Sequence, residues 1–154
     1  MTGRTGVLDG AAAVDGSWEH AMGDAARERR IIEDVPKKLL IGGRERDAAG
    51  GKTFPVEDPS TGEILCDVAD ASPDDGMAAL DAAAKKQAEW AATAPRERGE
   101  ILRRAFEMIN EQVDDIAMLM TLEMGKPLAE SKAEIGYAAE FFRWYAEEAV
   151  RISG

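Results

Sequence analysis

Between Tyr137 and Tyr145 the chain places five of its nine aromatic residues: Tyr137, Phe141, Phe142, Trp144 and Tyr145. The segment around them reads as a helix opened by Pro127 and running to about Ile152. Ile135, Ala138, Phe142, Tyr145, Ala149 and Ile152 recur at alternating spacings of three and four, the period of one core-facing stripe. Tyr137, Phe141 and Trp144 fall beside or outside that stripe. The helix is therefore apolar over more than half its girth and needs partners on two sides. Part of its packing surface is expected to be met by further sequence or by another subunit. Its polar edge is ordinary: Arg143 precedes Glu147, and Glu147 precedes Arg151, each at helical spacing.

Three further helices are expected before it. Ser72-Pro73-Asp74-Asp75 is a helix start, with Ser as N-cap, Pro at the first helical position and acids at the positive end of the dipole. Met77, Leu80, Ala84 and Ala88 hold one face of that helix as far as Trp90. Pro95 opens a second, whose Ile101, Leu102, Ala105, Phe106 and Ile109 form an apolar stripe. Asp114-Asp115 begins a third, carrying Ile116, Leu119 and Met120, with Gly125 where a C-terminal cap belongs.

Ahead of the helices lies a β-rich segment. Leu39-Leu40-Ile41 is closed by Gly42-Gly43, and Gly50-Gly51 marks a second turn. Phe54 and Val56 share one strand face, as do Ile64, Cys66 and Val68. Asp58-Pro59-Ser60-Thr61-Gly62 joins those strands, since Pro fixes φ and Gly supplies a positive-φ position. Met1 to Gly16 reads as disordered, and Ser17 to Ile32 as a short, poorly anchored helix. Residues 1–34 are thus expected to be a disordered or weakly helical extension.

Charge and composition exclude several classes. Thirty acidic against 19 basic residues give a formal charge of −11, which argues against nucleic acid, because phosphate binding needs clustered Lys and Arg. No apolar run approaches the roughly 20 residues of a bilayer span, so no membrane partner is expected. Asp9, Asp15, Glu19 and Asp24 interrupt any signal-like apolar core, and a single cysteine forms no internal disulfide. A cytoplasmic protein is the expectation.

Residues able to carry chemistry are few. Cys66 lies in a strand with Asp67 beside it and no His or helix N-terminus to activate a thiolate, so it reads as a packed side chain. The glycine pairs match no G-x-G-x-x-G pattern and open no helix, and Lys126 lacks a preceding glycine-rich loop, so neither reads as a phosphate cradle. Asp74, Asp75, Asp114 and Asp115 are explained as helix-start residues. Glu130 and Glu134 share a helix face with no third ligand, so no metal site is assigned. His20 reads as a solvated side chain in the extension, in the company of Trp18.

Four motifs in order carry a resemblance. They are Leu40-Ile41-Gly42-Gly43; Phe54-x-Val56-x-Asp58-Pro59-Ser60-Thr61-Gly62-Glu63; Arg98-Gly99-x-Ile101-Leu102-Arg103-Arg104; and Glu123-x-Gly125-Lys126-Pro127. In residues and spacing this stretch, from about Val35 to Gly154, resembles the N-terminal part of aldehyde dehydrogenases. Met124-Gly125-Lys126-Pro127-Leu128-Ala129-Glu130, with Tyr145-Ala146-Glu147-Glu148-Ala149, looks most like the succinate-semialdehyde branch.

The resemblance implies an α/β parent of the aldehyde dehydrogenase fold. Residues 35–154 would be the incomplete N-terminal part of its NAD(P)-binding domain, forming a small antiparallel β segment followed by four α-helices. It implies oxidation of an aldehyde with NADP or NAD by a homo-oligomeric enzyme: a cysteine thiolate attacks, hydride leaves to the nicotinamide, and water hydrolyses the thioester. In the family those groups come from later sequence, so no catalytic or cofactor-binding residue is expected here and the isolated chain is expected to be inactive. The family helix matching Ile135 to Tyr145 borders the aldehyde tunnel, which makes Tyr137, with Phe141 behind it, the candidate substrate-facing side chains beside a plain core-packing reading. Some members also hold a structural monovalent cation near the segment matching Glu123, for which this sequence shows no ligand set. A second reading is a non-catalytic module that docks on a full-length dehydrogenase through its last helix.

Overall fold

A computed structural model describes residues 17–151, and side chains from residue 25 onward. The expected disorder of residues 1–16, the side chains of Trp18 and His20, and Ile152 lie outside the described residues. Helix α1, Ser17–Asp34, leads into a hairpin of β1, Leu39–Ile41, and β2, Arg44–Arg46. A 3-10 turn, Ala49–Gly51, connects to a second hairpin of β3, Thr53–Glu57, and β4, Ile64–Ala69. Four helices follow: α2, Pro73–Ala92; α3, Pro95–Glu111; α4, Val113–Met124; and α5, Leu128–Glu148. The expected antiparallel β segment and the four helices after it are present. The β segment is divided into two separate two-stranded sheets.

Local chemistry accounts for each hairpin. Gly42 and Gly43 form the two-residue turn between Ile41 and Arg44, with φ of 62° and 76°. Positive φ at both positions is the geometry that matches strand twist, and glycine adopts it without steric cost. In the second hairpin Val56 pairs with Cys66 while Glu57 pairs with Ile64, so Leu65 is an extra residue on β4. Such a bulge redirects a side chain, and Leu65 packs on the buried cluster of Ile31, Met118 and Leu122. Asp58 closes the connection: its carboxylate accepts from the Ser60 N–H at 2.7 Å, and its carbonyl accepts from the Gly62 N–H at 2.8 Å.

That buried cluster is the centre of the molecule. Ile31 from α1 meets Met118 and Leu122 from α4, with Ile32, Leu65, Leu119 and Leu128 around them. The weakly anchored helix expected over 17–32 is an 18-residue helix whose second half is fastened to α4. Arg27 donates to Asp115 Oδ1 through Nε at 3.0 Å and Nη2 at 2.7 Å, and Arg30 reaches Asp115 Oδ2 at 3.3 Å. Asp114, next along, accepts from Lys132 of α5 at 2.7 Å, and this cation holds its carboxyl below the usual carboxylate range. The two acids that begin α4 therefore bind it to both flanking helices.

Helix α5 packs against α4 and along α3. Ser131, Ile135 and Ala139 are its buried residues, and the Ser131 hydroxyl lies 2.9 Å from that of Thr121 on α4. Against α3 the approach is closer still, since a Cβ on Gly99 would sit 2.8 Å from the Ala146 carbonyl oxygen. This close crossing explains the glycine inside the Arg98-Gly99 motif. The expected core stripe through Ala138, Phe142 and Tyr145 is corrected here. Ile135 is buried as expected, but Ala138, Phe142 and Tyr145 are exposed, and the buried line runs through Ser131, Ile135 and Ala139. Small side chains admit the neighbouring backbones, and the aromatic rings are turned outward.

Candidate functional site

Two widely separated motifs meet in space and set the direction of α5. Gly125 ends α4 in the left-handed conformation, φ 71°, and its N–H donates to the Thr121 carbonyl at 2.8 Å. A Cβ there would lie 3.0 Å from Pro59 Cγ and 3.3 Å from Ser60 Oγ. The Asp58–Gly62 turn is thus pressed onto the α4–α5 junction, and glycine is demanded by both backbone angle and space. Lys126 follows and pairs with Glu134 on the first turns of α5. This ion pair links the α4–α5 junction to α5.

The junction aims the aromatic face of α5 away from α3 and α4. Tyr137 is 67% exposed, Trp144 59% and Phe141 47%. The Tyr137 and Phe141 rings touch edge to face, with centroids 5.1 Å apart and planes at 86°, the arrangement favoured by ring quadrupoles. With Glu140, Trp144 and Tyr145 they line an open groove of about 360 Å³. Outside the groove, Arg143 Nε donates to Glu140 at 2.7 Å and its Nη1 to Glu147 at 3.3 Å. The two carboxylates, Glu140 first, raise the guanidinium above its ordinary pKa. This groove can hold an apolar chain or a flat group against aromatic walls.

Other candidates are placed elsewhere. Cys66 is half-buried on β4 opposite Val56. The glycine pairs occupy the β1–β2 turn and the 3-10 turn. The N-terminus of α2 is closed by its own capping box of Ser72 and Asp75. Among the described residues no glycine-rich loop leads from a strand into a helix. Among the described residues no three His, Cys, Asp or Glu side chains gather as a metal site, and no helix is long and apolar enough to cross a membrane.

Comparison with known proteins decides the family. Residues 46–154 match the aldehyde dehydrogenase family. The chain belongs to that family. It is 55% identical over 91 residues to a succinate-semialdehyde dehydrogenase of Paenarthrobacter nicotinovorans, covering 59% of this chain and 20% of the relative. Against a glutarate-semialdehyde dehydrogenase of Pseudomonas putida the identity is 47% over 118 residues, 77% of this chain and 25% of the relative. The solved succinate-semialdehyde dehydrogenase of Burkholderia pseudomallei superposes with a TM-score of 0.75 at 42% identity, covering 78% of this chain and 25% of that one. An Escherichia coli NADP-dependent enzyme gives 0.74 at 45%, over 76% of this chain and 24% of the other. The chain thus spans about a quarter of the length of these relatives.

Sequence reasoning missed the tertiary partners of several motif residues. Gly99 stands inside a helical pattern, a recognised mark of close backbone approach, yet the Ala146 carbonyl that it admits lies on another helix. Ser72 and Asp75, three apart at a helix start, carry a capping-box pattern, but the Ala49 N–H and Arg46 bound by the same carboxylate leave no local signal.

Proposed function

We propose that residues 35–154 form the N-terminal part of the NAD(P)-binding domain of an aldehyde dehydrogenase that oxidises a small semialdehyde, succinate semialdehyde first, to the carboxylic acid. The observation carrying this is the long, ordered identity to enzymes named for succinate or glutarate semialdehyde, including an Escherichia coli succinate-semialdehyde dehydrogenase named for NADP(+), 46% identical over 118 residues. NADP or NAD is the oxidant of the proposed reaction. A nicotinamide adenine dinucleotide complex among the similar solved structures supports the dinucleotide class. The whole enzyme is a cytoplasmic homo-oligomer in this reading.

Tyr137 and Phe141 line the path of the aldehyde. Their exposure and mutual packing support that role, and the aromatic walls suit the aliphatic chain of a semialdehyde. Its carboxylate would be bound elsewhere, because the one charged side chain lining the groove is the acidic Glu140. Residues 1–154 alone are inactive in this proposal, the nucleophile, base and dinucleotide site being supplied by sequence that the relatives carry. The test is NADP- and NAD-linked oxidation of succinate semialdehyde by the purified 154-residue chain, with the intact mass of the protein in its source cells. No turnover and a mass near three times 16.6 kDa are expected. Turnover that disappears in Cys66→Ser would sink the proposal.

A second reading is favoured by the aromatic face of α5: the chain docks on a full-length dehydrogenase without catalysing anything. A cellular mass of 16.6 kDa, with a stoichiometric complex in pull-down against a full-length relative, would establish it. Absence of that complex removes it.

A further inference from the structure

Helix α2 is joined to the molecule differently from the other helices. It is 20 residues long, and Asp75 is its only buried residue. Met77, Leu80 and Trp90 stand exposed, so the apolar face expected from Met77, Leu80, Ala84 and Ala88 covers nothing. Its packing is chiefly on β1, where Ala82 Cβ lies 3.7 Å from the Cβ position of Gly42. By contrast, α1, α3, α4 and α5 pack on one another.

One carboxylate fastens this unit. Asp75 Oδ1 accepts from Arg46 Nη2 at 2.8 Å, which reaches back to β2. Asp75 Oδ2 accepts from the Ala49 N–H at 2.9 Å in the 3-10 turn, and from the N–H and hydroxyl of Ser72 at 3.0 and 2.8 Å. Hairpin, turn and helix therefore converge on a single side chain. Hydrogen bonds also tie the unit to the rest near the points where the chain enters and leaves it. The Ala69 N–H donates to Lys37 O and the Asp70 N–H to Lys52 O, each at 2.9 Å. At the far end Arg98 Nη1 donates to Ala91 O at 3.2 Å, exposed to solvent.

We infer that β1, β2, the 3-10 turn and α2 form a hinged flap that opens as one unit while α1, α3, α4 and α5 stay folded, with Asp75 as its clasp. Opening uncovers little apolar surface, because α2 has no buried apolar residue and Ala48 is the one buried apolar side chain of the unit. Units with few buried apolar contacts open at the lowest free energies in a structure. Once undocked, α2 loses the tertiary packing that supplies most helix stability in proteins, so opening is read in the amides of α2.

Hydrogen exchange with mass spectrometry on the 154-residue chain tests this. In the unmodified chain, amides of α2 and of the β1–β2 hairpin should be at least about tenfold less protected than those of α4 and α5. Asp75→Ala should speed exchange in the flap by a further factor of about ten or more, the loss of a hydrogen-bonded charge. The α4 and α5 amides should stay unchanged within about twofold. Arg46→Ala, which keeps the capping box, should give a smaller acceleration in the same peptides. Equal protection of α2 and α4 in the unmodified chain overturns the inference. So does an Asp75→Ala chain that loses protection everywhere, because Asp75 would then belong to the global fold.

Discussion

At the scale of single residues, Asp75 also sets an acid limit on the closed flap. Its carboxyl is lowered from 3.8 to about 2, first by the Ala49 N–H, then by Ser72, with Arg46 the smallest contributor. The folded value lies below the unfolded one, so between these values the unfolded chain binds more protons and stability rises with pH. The contribution is complete above pH 3.8 and is lost as pH falls through about 2. Hydrogen exchange in α2 of the unmodified chain, corrected for its intrinsic pH dependence, should therefore accelerate more as pH falls across that window than it does in Asp75→Asn; parallel curves would remove the assignment. Two helical glycines give an opposed pair. Gly99 faces the Ala146 carbonyl, whereas Gly136 on α5 has nothing within 4 Å of its Cβ position. Gly99→Val should destabilise by about 1–3 kcal/mol through overpacking, and Gly136→Ala should stabilise by about 1 kcal/mol through helix propensity and unfolded-state entropy. Urea midpoints of the two variants check both signs.

At the scale of elements, the legible features were those whose cause is local. The α2 start at Ser72-Pro73, the Gly42-Gly43 hairpin and the Gly125 cap need only the chemistry of adjacent residues, and all three stand as read. The burial of α5 was misread because periodicity found its apolar residues without revealing which side α3 and α4 occupy. Ser131 and Ala139, polar or small, are fully buried, while Tyr145 is outside. The candidates Tyr137 and Phe141 came from the family resemblance; periodicity set them only beside or outside the stripe, and both are exposed. The Leu65 bulge was invisible, as register depends on pairing. Leu122 marks where elements depend on each other, joining α4 to α1 and to the bulged strand. Leu122→Ala should cost about 2–5 kcal/mol and loosen α1 and β4 together. A far-UV and fluorescence melt in urea that leaves the midpoint in place would show that these elements are not coupled there.

At the scale of the whole molecule, two features of the surface oppose each other. Exposed Tyr137, Phe141, Trp144 and Tyr145 form one apolar face on α5, of the kind that promotes association. The net charge of −11 repels like copies over a distance that salt controls, about 30 Å at 0.01 M and 8 Å at 0.15 M. Self-association of the 154-residue chain should therefore strengthen as salt is raised, since screening removes the repulsion and leaves the apolar contact intact. An association driven by ion pairs would weaken instead. Sedimentation velocity across a concentration series at low and high salt separates the two. Tyr137→Ser with Phe141→Ser should return the chain to monomer at high salt, because both side chains are solvent-facing and their loss opens no cavity in the core. A chain that stays monomeric at every salt concentration would mean that the aromatic face is too open to bind its own copy. An oligomer unchanged by the double substitution would move the contact to another surface, such as the bare face of α2.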